Sequence, residues 1–235
     1  MSFEIPDTWT FKNNDVADSF EVHVREQLPW YEMITNAVAQ IARHYIPEDG
    51  LVYDIGASTG NIARAIEDTL EKRKATLVAI EESLEMAKLY EGPGYLQVIR
   101  AQDFNFEDFD FATCFLVLMF MPPLQAVDLI DRLIARLNYG GAIVFVERTI
   151  PPDGYAGIVT SRMTLNAKRE AGVTGEEIIA KELSLAGVQR PIDSEVFTSR
   201  GAVEFFRFGD FAGYLIEGKE ELQWKVPSIN KWLKQ

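Results

Sequence analysis

Residues 51–61, Leu-Val-Tyr-Asp-Ile-Gly-Ala-Ser-Thr-Gly-Asn, constrain the fold of this chain more than any other stretch. A short run rich in β-branched and apolar residues ends in Gly56, and the spacing of residues 62–73 is helical. A buried strand, a glycine turn and a helix in direct succession open an α/β sheet. The alternation then repeats. Residues 75–80 predict a second strand, 84–90 a short helix, 96–99 a third strand and 111–120 a fourth, apolar throughout as a central parallel strand should be. Residues 126–137 predict a helix, 138–141 a turn and 142–147 a fifth strand. Upstream, Ile34, Ala37, Val38, Ile41, Ala42 and Tyr45 share one helical face, which Pro47 and Gly50 terminate. Pro151-Pro152 breaks the pattern; a mainly helical insertion and a hairpin of 203–208 with 211–217 follow. The expected fold is a Rossmann-like α/β domain with a mostly parallel seven-stranded sheet and a C-terminal antiparallel hairpin. It is one domain over residues 1–235, with an N-terminal helical segment at 1–47, a core at 51–147, an insertion at 150–190 and the hairpin at 203–217.

Composition narrows the function. Cys114 is the only cysteine of the 235 residues, so neither an internal disulfide nor a cysteine metal cage can form. His23 and His44 have no partners at metal-ligand spacing, so no metal is expected. The longest strongly apolar run, 111–121, is too short to span a bilayer. The first ten residues lack the basic and apolar pattern of a secretory signal, and a cytoplasmic location is expected. The net charge of −13 is uneven: residues 1–150 carry 12 Lys and Arg against 24 Asp and Glu, and 151–235 carry 11 against 12. No basic stripe is present for a nucleic-acid backbone, so direct DNA grip is not expected.

The chemistry centres on Asp54-Ile-Gly56-Ala-Ser58-Thr-Gly60-Asn61. Glycines there let the backbone turn sharply and approach a ligand, at a helix N-terminus that favours anionic groups. Glu81 ends the next strand, where an acid can accept hydrogen bonds from both hydroxyls of a ribose. A side chain at Gly56 is expected to fill ligand space while leaving the fold intact. Gly56-Ala-Ser58-Thr-Gly60 also fits the G-x-S-x-G nucleophile elbow, but both histidines precede the serine, so the usual triad has no base. The dinucleotide fingerprint G-x-G-x-x-G is absent. Met121-Pro-Pro-Leu124 lacks the polar first residue and the aromatic last residue of base-amine methylases, and no Pro-Cys nucleophile is present.

These residues resemble the class I S-adenosylmethionine-dependent methyltransferases, and within them the carboxy-S-adenosylmethionine synthase branch of tRNA wobble-uridine modification. Trp9-Thr10-Phe11, Pro29-Trp30-Tyr31, Val52-Tyr-Asp-Ile-Gly-Ala-Ser58, Leu137-Asn-Tyr-Gly-Gly141, Lys168-Arg169 and Phe205-Phe206 carry the resemblance. It implies S-adenosylmethionine as cofactor. Tyr31 then lies near its amino-acid end, with Asp54, Gly56, Ala57, Ser58 and Gly60 around the methionine moiety. Glu81 and Glu82 fall at the ribose, and Gln102 or Asp103, beside Phe104, at the adenine. Phe115 stands where an asparagine is expected. The arginine that binds the extra carboxylate of the carboxylated cofactor aligns with Glu182, which favours ordinary S-adenosylmethionine. The acceptor is expected to be a small molecule seated between Tyr31 and the insertion, with Tyr155 and Arg162 beside Tyr31 as catalytic candidates. The resemblance further implies a homodimer, with Trp9, Phe11 and Trp30 as an exposed aromatic contact. A carboxylated-cofactor synthase and a non-catalytic cofactor-binding subunit are the alternatives.

Overall fold

The computed structural model describes residues 4–219; the ends of the expected domain, 1–3 and 220–235, lie outside them. Seven strands form one sheet in the order β3-β2-β1-β4-β5-β7-β6. They are β1 (Leu51–Ile55), β2 (Thr76–Glu81), β3 (Tyr95–Val98), β4 (Phe109–Phe115), β5 (Leu137–Arg148), β6 (Val203–Phe208) and β7 (Phe211–Glu217). The first five are parallel; β7 runs antiparallel between β5 and β6. The helices are α1 (Asn14–Gln27), α2 (Tyr31–Tyr45), α3 (Asn61–Arg73), α4 (Leu84–Ala87), α5 (Pro123–Ile134), α6 (Gly154–Glu170), α7 (Gly175–Ser184) and α8 (Glu195–Thr198). None is long and apolar enough to cross a membrane.

Alternation along the strands separates two cores. Val52, Phe111 and Val144 pack with Ile34 and Val38 of α2 and Ile62 and Ile66 of α3. Their neighbours Tyr53, Ala112 and Ile143 face the other way, onto Leu129, Ile130 and Leu133 of α5. Strand order reverses between β1 and β4, so a crevice opens beyond their carboxyl ends, where open α/β sheets bind ligands.

Several expectations are corrected. The fourth strand stops at Phe115, although the apolar run continues. Leu116 takes φ +61°, and the amides of Val117, Leu118 and Met119 turn onto the Glu147 carboxylate at 3.1, 2.9 and 3.2 Å. That turn ends strand pairing by satisfying the backbone elsewhere. The glycine turn at 138–141 is instead a bulge inside β5: register jumps from Phe109–Leu137 to Phe111–Ala142. The short helix expected over 84–90 closes after one turn, at Ala87. Trp9, Phe11 and Trp30 are not an exposed contact. Trp9 stacks on His23 at 5.3 Å, Phe11 meets Phe20 and Phe120 edge-on, and Trp30 packs on Phe206 and Phe211.

Candidate active site

One cavity lies beyond the carboxyl ends of β1, β2 and β4, roofed by α1, the N-terminal segment and the insertion helices α6 and α7. The glycine turn forms its floor. Gly56 has φ +72°, and its amide and that of Ala57 donate to the Ile80 carbonyl at 2.8 and 3.0 Å, docking the turn on β2. Ser58, also left-handed at φ +53°, donates its amide to Glu81 Oε2 at 2.8 Å, while the Ser83 amide donates to Oε1 at 2.8 Å. Two amides thus fix the carboxylate and leave each oxygen a lone pair for a ligand hydroxyl. Burial raises the Glu81 pKa, and those two amides oppose the rise.

Among the described residues, three buried polar atoms around this turn meet no partner at hydrogen-bonding geometry: Asp54 Oδ2, Ser58 Oγ and Gln27 Oε1. Asp54 is 2% exposed, and its other oxygen accepts from Thr113 Oγ1 at 2.8 Å. Burial pushes its carboxyl up to about 6, partly offset by Thr113 and by the field of the Ala63 amide. Buried polar atoms are normally paired, so three orphans facing one cavity mark where a polar ligand belongs. An acceptor pair, Asp54 and Gln27, suits an ammonium; the Ser58 hydroxyl suits a carboxylate.

Tyr31, Ala57, Glu82, Gln102 and Phe115 also line the cavity, Tyr31 edge-on against Phe115 at 5.3 Å. Between Gln102 and Asp103, only Gln102 lines it; Asp103 turns outward within 3.7 Å of Arg100. Phe104 packs instead on Tyr53 and Phe106, and Gly60 sits behind the turn at the start of α3 with φ +92°. Tyr155, 72% exposed, and Arg162 lie on the outer side of α6 and take no part in the cavity.

At the far end of the cavity, Glu182 and Lys168, both named by the resemblance, meet Arg148, which sequence reasoning missed. Arg148, the last residue of β5, donates to Asp210 Oδ2 at 2.7 Å, Gln189 Oε1 at 2.6 Å and Glu182 Oε2 at 3.4 Å. Lys168 donates to Glu182 Oε1 at 3.1 Å. Despite burial, Arg148 and Lys168 hold the Glu182 carboxyl below its usual range, so it remains anionic. Lys181 seats its amine on the face of Trp9. The roof is tied on both sides: Trp9 N–H donates to the Ser184 carbonyl at 2.9 Å, and Ser83 Oγ donates to the Phe11 carbonyl at 2.6 Å. On α1, Glu21 accepts from Thr59 Oγ1 at 2.8 Å and pairs with Arg64 of α3. Among the described residues, no group of three or more His, Cys, Asp or Glu side chains forms a metal cluster.

Residues 53–145 match the family described as a methyltransferase domain. The chain is 31% identical over 192 residues to the carboxy-S-adenosyl-L-methionine synthase of Staphylococcus epidermidis, covering 80% of this chain and 84% of that one. Among solved structures it resembles an S-adenosylmethionine-dependent methyltransferase of Clostridium acetobutylicum, with a TM-score of 0.55 and 12% identity over 86% of this chain and 99% of that one. It also resembles an O-methyltransferase family protein of Burkholderia thailandensis, with a TM-score of 0.59 and 11% identity over 89% of this chain and 61% of that one. Glycine turn, the acid fixed beside it, sheet order and relatives agree: the chain belongs to the carboxy-S-adenosyl-L-methionine synthase family of class I S-adenosylmethionine-dependent methyltransferases.

Proposed function

We propose that the protein binds S-adenosylmethionine on the Gly56 turn and transfers its methyl group to a small acceptor held under the insertion. The three unpartnered atoms, Asp54 Oδ2, Ser58 Oγ and Gln27 Oε1, carry this reading, because together they match the two charges of an amino-acid end. Bound there, S-adenosylmethionine supplies a methyl group activated by its sulfonium. Glu81 takes the ribose hydroxyls, Gln102 lies at the adenine end, and the tied roof excludes water. Positioning is then the main catalytic contribution of the chain. Calorimetry should give micromolar affinity for S-adenosylmethionine, about −8 kcal/mol. Absence of both heat and thermal shift with S-adenosylmethionine and S-adenosylhomocysteine would exclude the reading.

Synthesis of the carboxylated cofactor is the second reading, favoured by the named relative. Glu182 weighs against it. An anion there, already holding Arg148 and Lys168, would repel an added carboxylate or compete for its cations. Ordinary S-adenosylmethionine should therefore bind at least tenfold tighter than its carboxylated form, about 1.4 kcal/mol or more. Tighter binding of the carboxylated form in a competition titration would reverse the two readings.

The same proposal places the protein in the cytoplasm as a single catalytic domain without DNA grip, in keeping with its charge of −13. A homodimer would use the outer face of the insertion. Tyr155, Ile158 and Leu165 on α6 and Ile179 and Leu183 on α7 are all exposed, an unusual amount of apolar surface for one region. Light scattering should give a dimer, and Ile158→Lys combined with Leu183→Glu a monomer.

A further inference from the structure

Among the described residues, charge pairing at the far end of the cavity leaves one basic side chain over. The carboxylates there are Glu182 and Asp210. Arg148 contacts both, and Lys168 takes the second oxygen of Glu182. Lys181, one position before Glu182 on α7, has no carboxylate within 4 Å and no hydrogen-bond acceptor among the described residues. Its one close partner is the Trp9 ring. It is 8% exposed, and Lys168, 5% exposed, adds a like charge beside it. No negative charge is seated on its amine: the Glu182 carboxylate at the next position raises its pKa but is bonded to Arg148 and Lys168. His23 of α1, stacked on Trp9, is held neutral at physiological pH, its pKa pushed down chiefly by burial to about 4. Glu177, one turn earlier on α7, is bonded to Thr174 in the capping box at the start of the helix.

Resting on the cofactor reading above, we propose that Lys181 is the general base of methyl transfer, and that the acceptor is a small phenol-type hydroxyl compound. The lining supplies both halves of the argument. Trp9, Phe11, Phe120 and Phe211 offer flat apolar surface around the cavity, which suits an aromatic body. Amid them one amine is left without a counter-ion, which suits a single acidic proton. An ammonium in this place is penalised by burial first and by Lys168 second, with Glu182 opposing them, and its pKa is pushed down to about 5, so the free amine holds a lone pair at neutral pH. Proton transfer removes the penalty, because the ammonium forms together with the phenolate that pairs with it. As the acceptor oxygen bonds to the methyl carbon, the carbon–sulfur bond breaks with its electron pair on sulfur, and the hydroxyl proton resides on Lys181 Nζ.

A chromogenic probe reads this step without turnover. 4-Nitrophenol absorbs differently as phenol and as phenolate. At pH 6, with S-adenosylhomocysteine present, it should bind and show the phenolate band, its fraction raised about tenfold over free probe. Calorimetry in two buffers of different ionisation enthalpy should find no net proton release, because the proton stays on Lys181. Lys181→Met should lose the band with no loss of melting temperature. Lys181→Arg, already charged, should keep the band but release one proton per probe. A bound probe that stays neutral in the parent protein overturns the proposal, as does a phenolate band accompanied by proton release. Failure of the probe to bind while S-adenosylhomocysteine binds normally also overturns it. Failure of S-adenosylhomocysteine itself instead removes the cofactor reading, and the acceptor assignment with it.

Discussion

Gly56→Val is expected to cost about 2–4 kcal/mol of stability as well as cofactor binding. The structure thus corrects the expectation that such a change would spare the fold. Gly56 sits at φ +72°, where a β-branched residue is strained, and a Cβ there would fall inside contact distance of Val117 Cγ2. Val117 has little room to withdraw, because Glu147 holds its amide and the two that follow. The turn must shift instead, and with it the docking of Gly56 and Ala57 on Ile80. Ser58→Ala is the matched comparison. Its hydroxyl meets no hydrogen-bond partner among the described residues, so the melt should hardly move while affinity for S-adenosylhomocysteine falls by about 1 kcal/mol, the usual worth of one hydrogen bond. Thermal melts with and without that ligand separate the two variants. A Gly56→Val protein that melts like the parent and still binds would show that the turn is not the cofactor floor.

What could be read in the sequence, and what could not, follows from how far apart partners lie along the chain. β1, α3, β2 and the hairpin are set by local periodicity and by adjacent glycines, and all were legible. So were the residues of the Gly56 turn and Glu81, which the chain order delivers to the crevice. The end of β4 was not legible, because the apolar run gives no sign that Glu147, about thirty residues on, will turn three amides away. The burial of Trp9 was not legible because, besides Phe11 and Val16, it is Leu185 and Lys181 at the end of the insertion and His23 of α1 that close over it. The same distance hid the cationic end of the cavity. Arg148 and Lys181 read as ordinary charges on a strand end and a helix, and Lys168 only as part of the Lys168-Arg169 resemblance, until the fold gathers them. One signal was present: Glu182 as the residue where an arginine was expected implies a rearranged set of cations nearby. The place of Tyr155 and Arg162 in the insertion points to the cavity, but α6 turns its Thr164 and Lys168 face, not theirs, to it.

Arg148→Met should lower stability by about 3 kcal/mol at pH 7.5, which for a chain of this size is about 6–12 °C in melting temperature. One guanidinium here joins three separate parts of the molecule to the end of β5: Asp210 before β7, Glu182 on α7 and Gln189 after it. Removing it strands Asp210, nearly buried, with only Thr164 Oγ1 and the Arg148-side oxygen unpaired. Glu182 keeps Lys168 and is more exposed, so its share is smaller. The pH dependence gives the sign. Glu182 has a folded pKa held below its ordinary value chiefly by Arg148, so its pairing contributes fully above the unfolded carboxylate pKa and fades as pH falls through the folded one. The gap between parent and variant should therefore narrow between about pH 5 and pH 3. An equal gap at pH 7.5 and pH 4 would assign the loss to packing, since Arg148 also lies over the Phe211 ring at 5.9 Å. Arg148→Lys tells the two apart from the other direction. It restores the charge but cannot span three acceptors with one planar fork, so it should recover less than half of the loss if the fork is what matters.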